Sequence, residues 1–141
     1  MKAIAGISSY HPFFPKKHYP LIDIDADLLE WRYAGHMKIP TKQDIIEWID
    51  KRTPPELGDG KFQITIEETE HGWHLYIWRA LTIGKCEKVL NACPYIDKTY
   101  SRLGKERGFW FLRTVQMFEP PVPVTFMAIR GGNWYNRKCS N

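Results

Sequence analysis

The chain has 141 residues, 43% hydrophobic and 26% charged, with a formal net charge of +4 at pH 7. That length holds one core and no second full domain, the composition excludes wholesale disorder, and no apolar run reaches the ~20 residues that cross a bilayer. The mild basic excess suits a phosphate-bearing partner without demanding one, and aromatics make up 14% of the chain, six Trp among them.

Residues 1–19 read as irregular, punctuated by Pro12 and Pro15, with Pro20 next. Their short apolar stretch is interrupted by Ser and followed by Pro, His and Lys, where a signal peptide would continue its apolar core. An uncleaved, cytoplasmic chain with no membrane partner is therefore expected. Leu21-Ile22-Asp23-Ile24-Asp25 alternates apolar and acidic residues and predicts a short strand. Residues 27–32 read as a helical turn ended near Gly35. Thr41, with Asp44 three residues on, predicts a helix N-cap. Ile45, Ile46 and Ile49 give that helix its apolar stripe, and Thr53-Pro54-Pro55 stops it. Phe62, Ile64 and Ile66 alternate with Gln63, Thr65 and Glu67 as a half-buried strand. A turn at Glu70-His71-Gly72 leads to a second strand, Trp73 to Trp78, so residues 61–79 predict a β-hairpin. Gly84 to about Gly104 reads as a helix bent or broken at Pro94. Phe109 to Arg113 and Val124 to Ile129 read as strands separated by a Pro-rich connector, and the tail from Gly131 as mobile.

The cysteines, Cys86, Cys93 and Cys139, form no CxxC pair. That argues against a cysteine zinc site and against a secreted disulfide framework. Cys86 and Cys93 stand two helical turns apart on a stripe with Val89 and Leu90, as buried small hydrophobes would.

Strand, helix, hairpin, helix, strand is the βαββαβ order. It predicts a single α+β domain over 1–141, a ferredoxin-like (RRM-like) sheet with helices on one face, the other face open, and an extra C-terminal strand. Alternation along the strands turns Ile22, Ile24, Ile64, Ile66, Leu75 and Ile77 towards the helices. The open face then collects Asp23, Asp25, His74, Tyr76 and Arg113. Two acids two apart on a strand can hold Mg²⁺ or Mn²⁺, with substrate phosphates and water completing the shell, and His and Arg on neighbouring strands suit a triphosphate.

Residues 21–25 resemble the first motif of the archaeo-eukaryotic primase superfamily, a hydrophobic strand ending in Asp-x-Asp. The run Thr69-Glu70-His71-Gly72-Trp73-His74-Leu75-Tyr76-Ile77 resembles the second, where a hydroxyl- and Gly-containing turn leads to an aromatic and then a His. The resemblance covers about residues 20–114, the palm-like core. It implies that Asp23 and Asp25 are catalytic metal ligands for Mg²⁺ or Mn²⁺ and that His74 contacts the incoming nucleotide's phosphates. Thr69, His71, Tyr76 and Arg113 are the further expected nucleotide or nucleic-acid contacts. The family's third motif, an acid on a later strand, has no counterpart in Phe109-Trp110-Phe111-Leu112-Arg113-Thr114. Glu119 is the nearest acid but lies beyond that strand, and Glu67 or Glu68 on the hairpin are the candidates to substitute for it. Full nucleotidyl transfer then lacks a ligand for a second metal. The expected function is a minimal primase-polymerase palm of a viral or plasmid replication protein. Its partners would be a nucleotide and single-stranded or primer-template nucleic acid, and a second copy of the chain or a helicase.

Two other readings compete. Tyr76, Phe109, Phe111 and the basic tail would make a stacking platform for single strands without catalysis, and Arg107 to Arg113 superficially resembles the aromatic strand motif of RNA-recognition domains. A rolling-circle nuclease wants two His flanking one hydrophobic residue, whereas His71 and His74 stand three apart.

Overall fold

The computed structural model describes residues 6–25, 40–59, 62–69, 72–113 and, for backbone alone, 124–129. The readings at 27–35, Glu70, His71, Glu119, Cys139 and the tail lie outside the described residues.

The chain is α+β. Three short strands come early: β1 (Gly6–Ser8), β2 (Lys17–His18) and β3 (Leu21–Asp25). Helix α1 (Lys42–Lys51) starts where the capping chemistry puts it. Thr41 Oγ1 accepts from the Asp44 N–H at 3.2 Å, and Asp44 Oδ2 accepts from the Thr41 N–H at 2.8 Å. A 3₁₀ turn (Pro55–Leu57) follows, then the hairpin β4 (Gln63–Glu68) and β5 (Gly72–Ile77), and a two-residue β6 (Leu81–Thr82). Helices α2 (Ile83–Ala92) and α3 (Lys98–Arg107) are the two pieces of the helix expected to bend or break at Pro94. The break falls at Pro94, whose ring disfavours the helical region for the residue before it. Cys93 accordingly takes φ −73°, ψ 118°. Gly108, at φ 90°, ends α3 in the left-handed conformation that suits glycine. Strands β7 (Phe111–Arg113) and β8 (Val124–Ile129) complete the order.

The main sheet is antiparallel, in the order β3-β5-β4-β8. Its helix-facing side carries Ile22, Ile24, Ile64, Ile66, Leu75 and Ile77, packed in one core with Ile45, Ile46, Trp48 and Ile49 of α1 and Cys86, Val89 and Leu90 of α2. Each fully buried aliphatic or aromatic side chain there contributes about 1.5–3 kcal/mol of transfer free energy. Cys86 and Cys93 are buried and free, and burial pushes both thiols up to about 12.

The 109–113 segment departs from expectation. Its strand does not join the main sheet beside β3 but pairs antiparallel with β1, Ile7 opposite Leu112. Residues 6–19, read as irregular, thus supply two strands, since β2 pairs with β6. Trp110 anchors this layer from the core. It is fully buried, its backbone N–H donates to Ser9 Oγ at 3.0 Å, and its indole N–H donates to the Ser101 carbonyl at 3.1 Å. The ring packs on Gly104, where a Cβ would stand 2.0 Å from Trp110 Cδ1.

Candidate functional site

The polar side of the main sheet gathers its side chains by register. Asp23 of β3 stands directly opposite His74 of β5, and His74 stands opposite Glu67 of β4. An acid, an imidazole and an acid therefore lie in line across three strands. His74 Nε2 is 3.5 Å from Asp23 Oδ1, and His74 Nδ1 is 3.3 Å from Glu67 Oε1. The Nδ1 contact is buried and outside hydrogen-bond alignment, so charge attraction carries it. Tyr76, two residues along β5, donates its hydroxyl to the same Glu67 oxygen at 3.1 Å. Trp78 stacks on Tyr76 with centroids 5.7 Å apart and donates its indole N–H to Thr65 Oγ1 at 2.9 Å.

His74 is 9% exposed. Burial pushes its pKa down, but the carboxylates of Asp23 and Glu67 on either side outweigh that and raise it from 6.5 to about 9. With a carboxylate at each nitrogen the ring is an imidazolium at neutral pH, both nitrogens carrying protons. One cation between two carboxylates leaves the array with an excess negative charge. Burial, then the Glu67 charge, pushes the Tyr76 phenol up.

The predicted face is therefore there, though not open. Tyr76 is 2% exposed and packs with Leu21 and Leu112, with Ile7, Tyr19, Trp78 and Tyr100 against them. Its ring is therefore closed to a base, and its hydroxyl positions Glu67 instead. Arg113 is exposed and alternates with Leu112, the residue of β7 that packs on Leu21 and Tyr76, so it points away from the array. Thr69 is half-buried at the end of β4, where its N–H donates to the Gly72 carbonyl at 2.9 Å and closes the hairpin. Asp25 pairs with Gly72, on the same side of β3 as Asp23, at that same end. The side chains of Asp23 and Asp25 are the part of the array that reaches solvent; Asp23 is 30% exposed.

Sequence reasoning named Glu67, with Glu68, only as a substitute for the missing third acid and not as a partner of His74, although alternation with Ile64 and Ile66 was enough to put it on this face. It stands two inter-strand steps from Asp23, ~10 Å between backbones, with His74 between them, so it holds His74 rather than sharing an ion with Asp23. β8 carries one extra residue where its pairing passes from Ile66 to Glu67, a bulge of the kind that re-aims side chains. Asp97 was also missed. Its N–H donates to the Asp23 carbonyl at 2.9 Å, and its Oδ1 accepts from the Thr99 and Tyr100 N–H groups as the cap of α3.

Asp23 and Asp25 offer hard oxygen donors of the kind Mg²⁺ uses beside phosphate and water. Among the described residues no group of three or more His, Cys, Asp or Glu is placed to hold a metal. The donor set fits an ion that brings phosphate ligands with it better than a protein-only cage. No family model matches the chain, and neither does any curated protein or solved structure. Among the described residues no helix is long and apolar enough to cross a membrane.

Proposed function

We propose that this protein binds the phosphates of a nucleotide through Asp23, Asp25 and His74, as a minimal ferredoxin-like palm of the primase-polymerase kind serving nucleic-acid replication. The observation that carries the reading is the cross-strand pairing of Asp23 with His74, with Asp25 two residues along on the same face. Asp23 and Asp25 would hold Mg²⁺ or Mn²⁺, which would neutralise phosphate charge when bound. His74 contributes a donor already charged, and Nε2–H, now directed at Asp23, is the one a phosphate oxygen would take. Glu67 holds the other edge of that ring and Tyr76 holds Glu67, so the donor is fixed before ligand arrives.

Electron paramagnetic resonance of Mn²⁺ tests it. Free Mn²⁺ signal is expected to fall on adding protein and nucleoside triphosphate together, beyond the fall each gives alone. An Asp23→Asn/Asp25→Asn protein is expected to lose that extra fall, and an extra fall that survives in it refutes the assignment.

A further inference from the structure

A second surface stands apart from the acidic array, at the end of β5 away from the Asp25–Gly72 pair. The chain between Tyr10 and His18 forms a closed loop. Tyr10 bridges His18, the His11 N–H donates to the Lys17 carbonyl at 3.0 Å, and the Lys17 N–H donates to the Phe14 carbonyl at 2.9 Å. Within it His11 Nδ1 accepts from the N–H groups of Phe13 at 3.0 Å and Phe14 at 3.2 Å, and Pro12 and Pro15 restrict the backbone on either side. This much local bonding serves to hold two aromatic rings out of the protein. Phe13 is 82% exposed and Phe14 60%. Single exposed apolar residues are ordinary, but adjacent Phe rings on a tied-down loop are a display.

The charge around them is one-sided. Residues 6–18 contain no Asp or Glu and end in Lys16-Lys17-His18. Lys17 belongs both to this loop and to the cleft at its base, which has a volume of about 520 Å³. The described residues lining that cleft set three cations, Lys17, Arg79 and Lys85, against one carboxylate, Glu56. Rings at a tip, followed by a concave run of cations, are the two components of single-strand binding. Unpaired bases stack on aromatic faces, and the backbone follows a positive groove. A duplex hides its base faces from such a tip.

We propose that Phe13, Phe14 and the Lys17–Arg79–Lys85 cleft form a binding track for single-stranded nucleic acid, bases on the rings and phosphates in the cleft. The track is independent of the nucleotide site on the main sheet.

Fluorescence anisotropy of a labelled oligothymidylate, read over a range of salt concentrations, tests it on the full chain. The unsubstituted protein is expected to bind, and Phe13→Ser/Phe14→Ser to weaken binding by roughly tenfold or more. Lys17→Gln/Lys85→Gln is expected to flatten the slope of log affinity against log salt by about 0.7 per lost phosphate contact. All four side chains are exposed, and far-ultraviolet circular dichroism and the melting temperature are expected to be unchanged. Asp23→Asn/Asp25→Asn is expected to bind the oligomer as the unsubstituted protein does, which separates this track from the nucleotide site. Failure of the unsubstituted protein to bind, unaltered binding by both substituted loop and cleft proteins, or loss of oligomer binding in the Asp23/Asp25 protein would each overturn the assignment. So would capture by anionic phospholipid vesicles in place of the oligomer.

Discussion

Burial of His74 between Asp23 and Glu67 has a consequence for stability that needs no ligand. The imidazole titrates near 6.5 in the unfolded chain and at about 9 in the folded protein. A folded pKa above the unfolded one means the folded state holds its proton more tightly. The stabilisation is fully present below about pH 6.5 and is lost as pH rises through about 9. At 1.36 kcal/mol for each tenfold difference in proton affinity, the displacement is worth roughly 3 kcal/mol. Other groups change over the same range, since burial of Cys86 and Cys93 raises their thiols to about 12 and so favours unfolding above ~8.5. The difference between the unsubstituted protein and His74→Gln removes that shared background. Urea unfolding of both proteins in a chelating buffer, at intervals from pH 6 to pH 10, measures it. The stability advantage of the unsubstituted protein is expected to shrink by roughly 3 kcal/mol across that range, most of it between pH 6.5 and 9. A difference that stays flat, or grows with pH, would refute the description of His74 as an imidazolium held by two carboxylates.

Glu67→Ala is expected to destabilise more than Tyr76→Phe. The first strips a buried imidazolium of one of its two counter-charges and a buried phenol of its acceptor, a loss of about 3–5 kcal/mol for a broken buried pair. The second removes one hydrogen bond, about 1 kcal/mol, and denaturant midpoints rank them. Gly104→Ala is expected to lower the melting temperature, by about 1–3 kcal/mol of overpacking against Trp110. Helix propensity alone would have it gain about 1 kcal/mol, so the sign of the change decides between them.

What the sequence made legible has local causes. The capping pair Thr41 and Asp44, the alternation of Leu21–Asp25 and of the hairpin, and the break at Pro94 each act within a few residues, and each element formed where its pattern stood. Alternation also carried the central placement, Asp23 beside His74, because a register consistent with the apolar faces leaves no other side for them. What was hidden depends on partners far along the chain. β1 is three residues long and pairs with β7 more than a hundred residues away, so neither a period nor a turn announces it. That pairing took β7 out of the expected sheet and brought Leu112 over Tyr76, which closed a face that a six-element pattern leaves open. The line from His74 to Glu67 and Tyr76 was lost for a different reason. Ile64 and Ile66 were followed to the core, and the residues between them were not followed to the other side.

Calorimetric titration of a nucleoside triphosphate in the presence of Mn²⁺, into the unsubstituted protein and into Asp23→Asn/Asp25→Asn, tests the nucleotide-binding reading most directly. Metal-dependent heat that saturates in the first and vanishes in the second is the expected result. Absence of binding in both, or equal binding in both, would contradict it and leave the Asp23–His74–Glu67 array with a structural role alone.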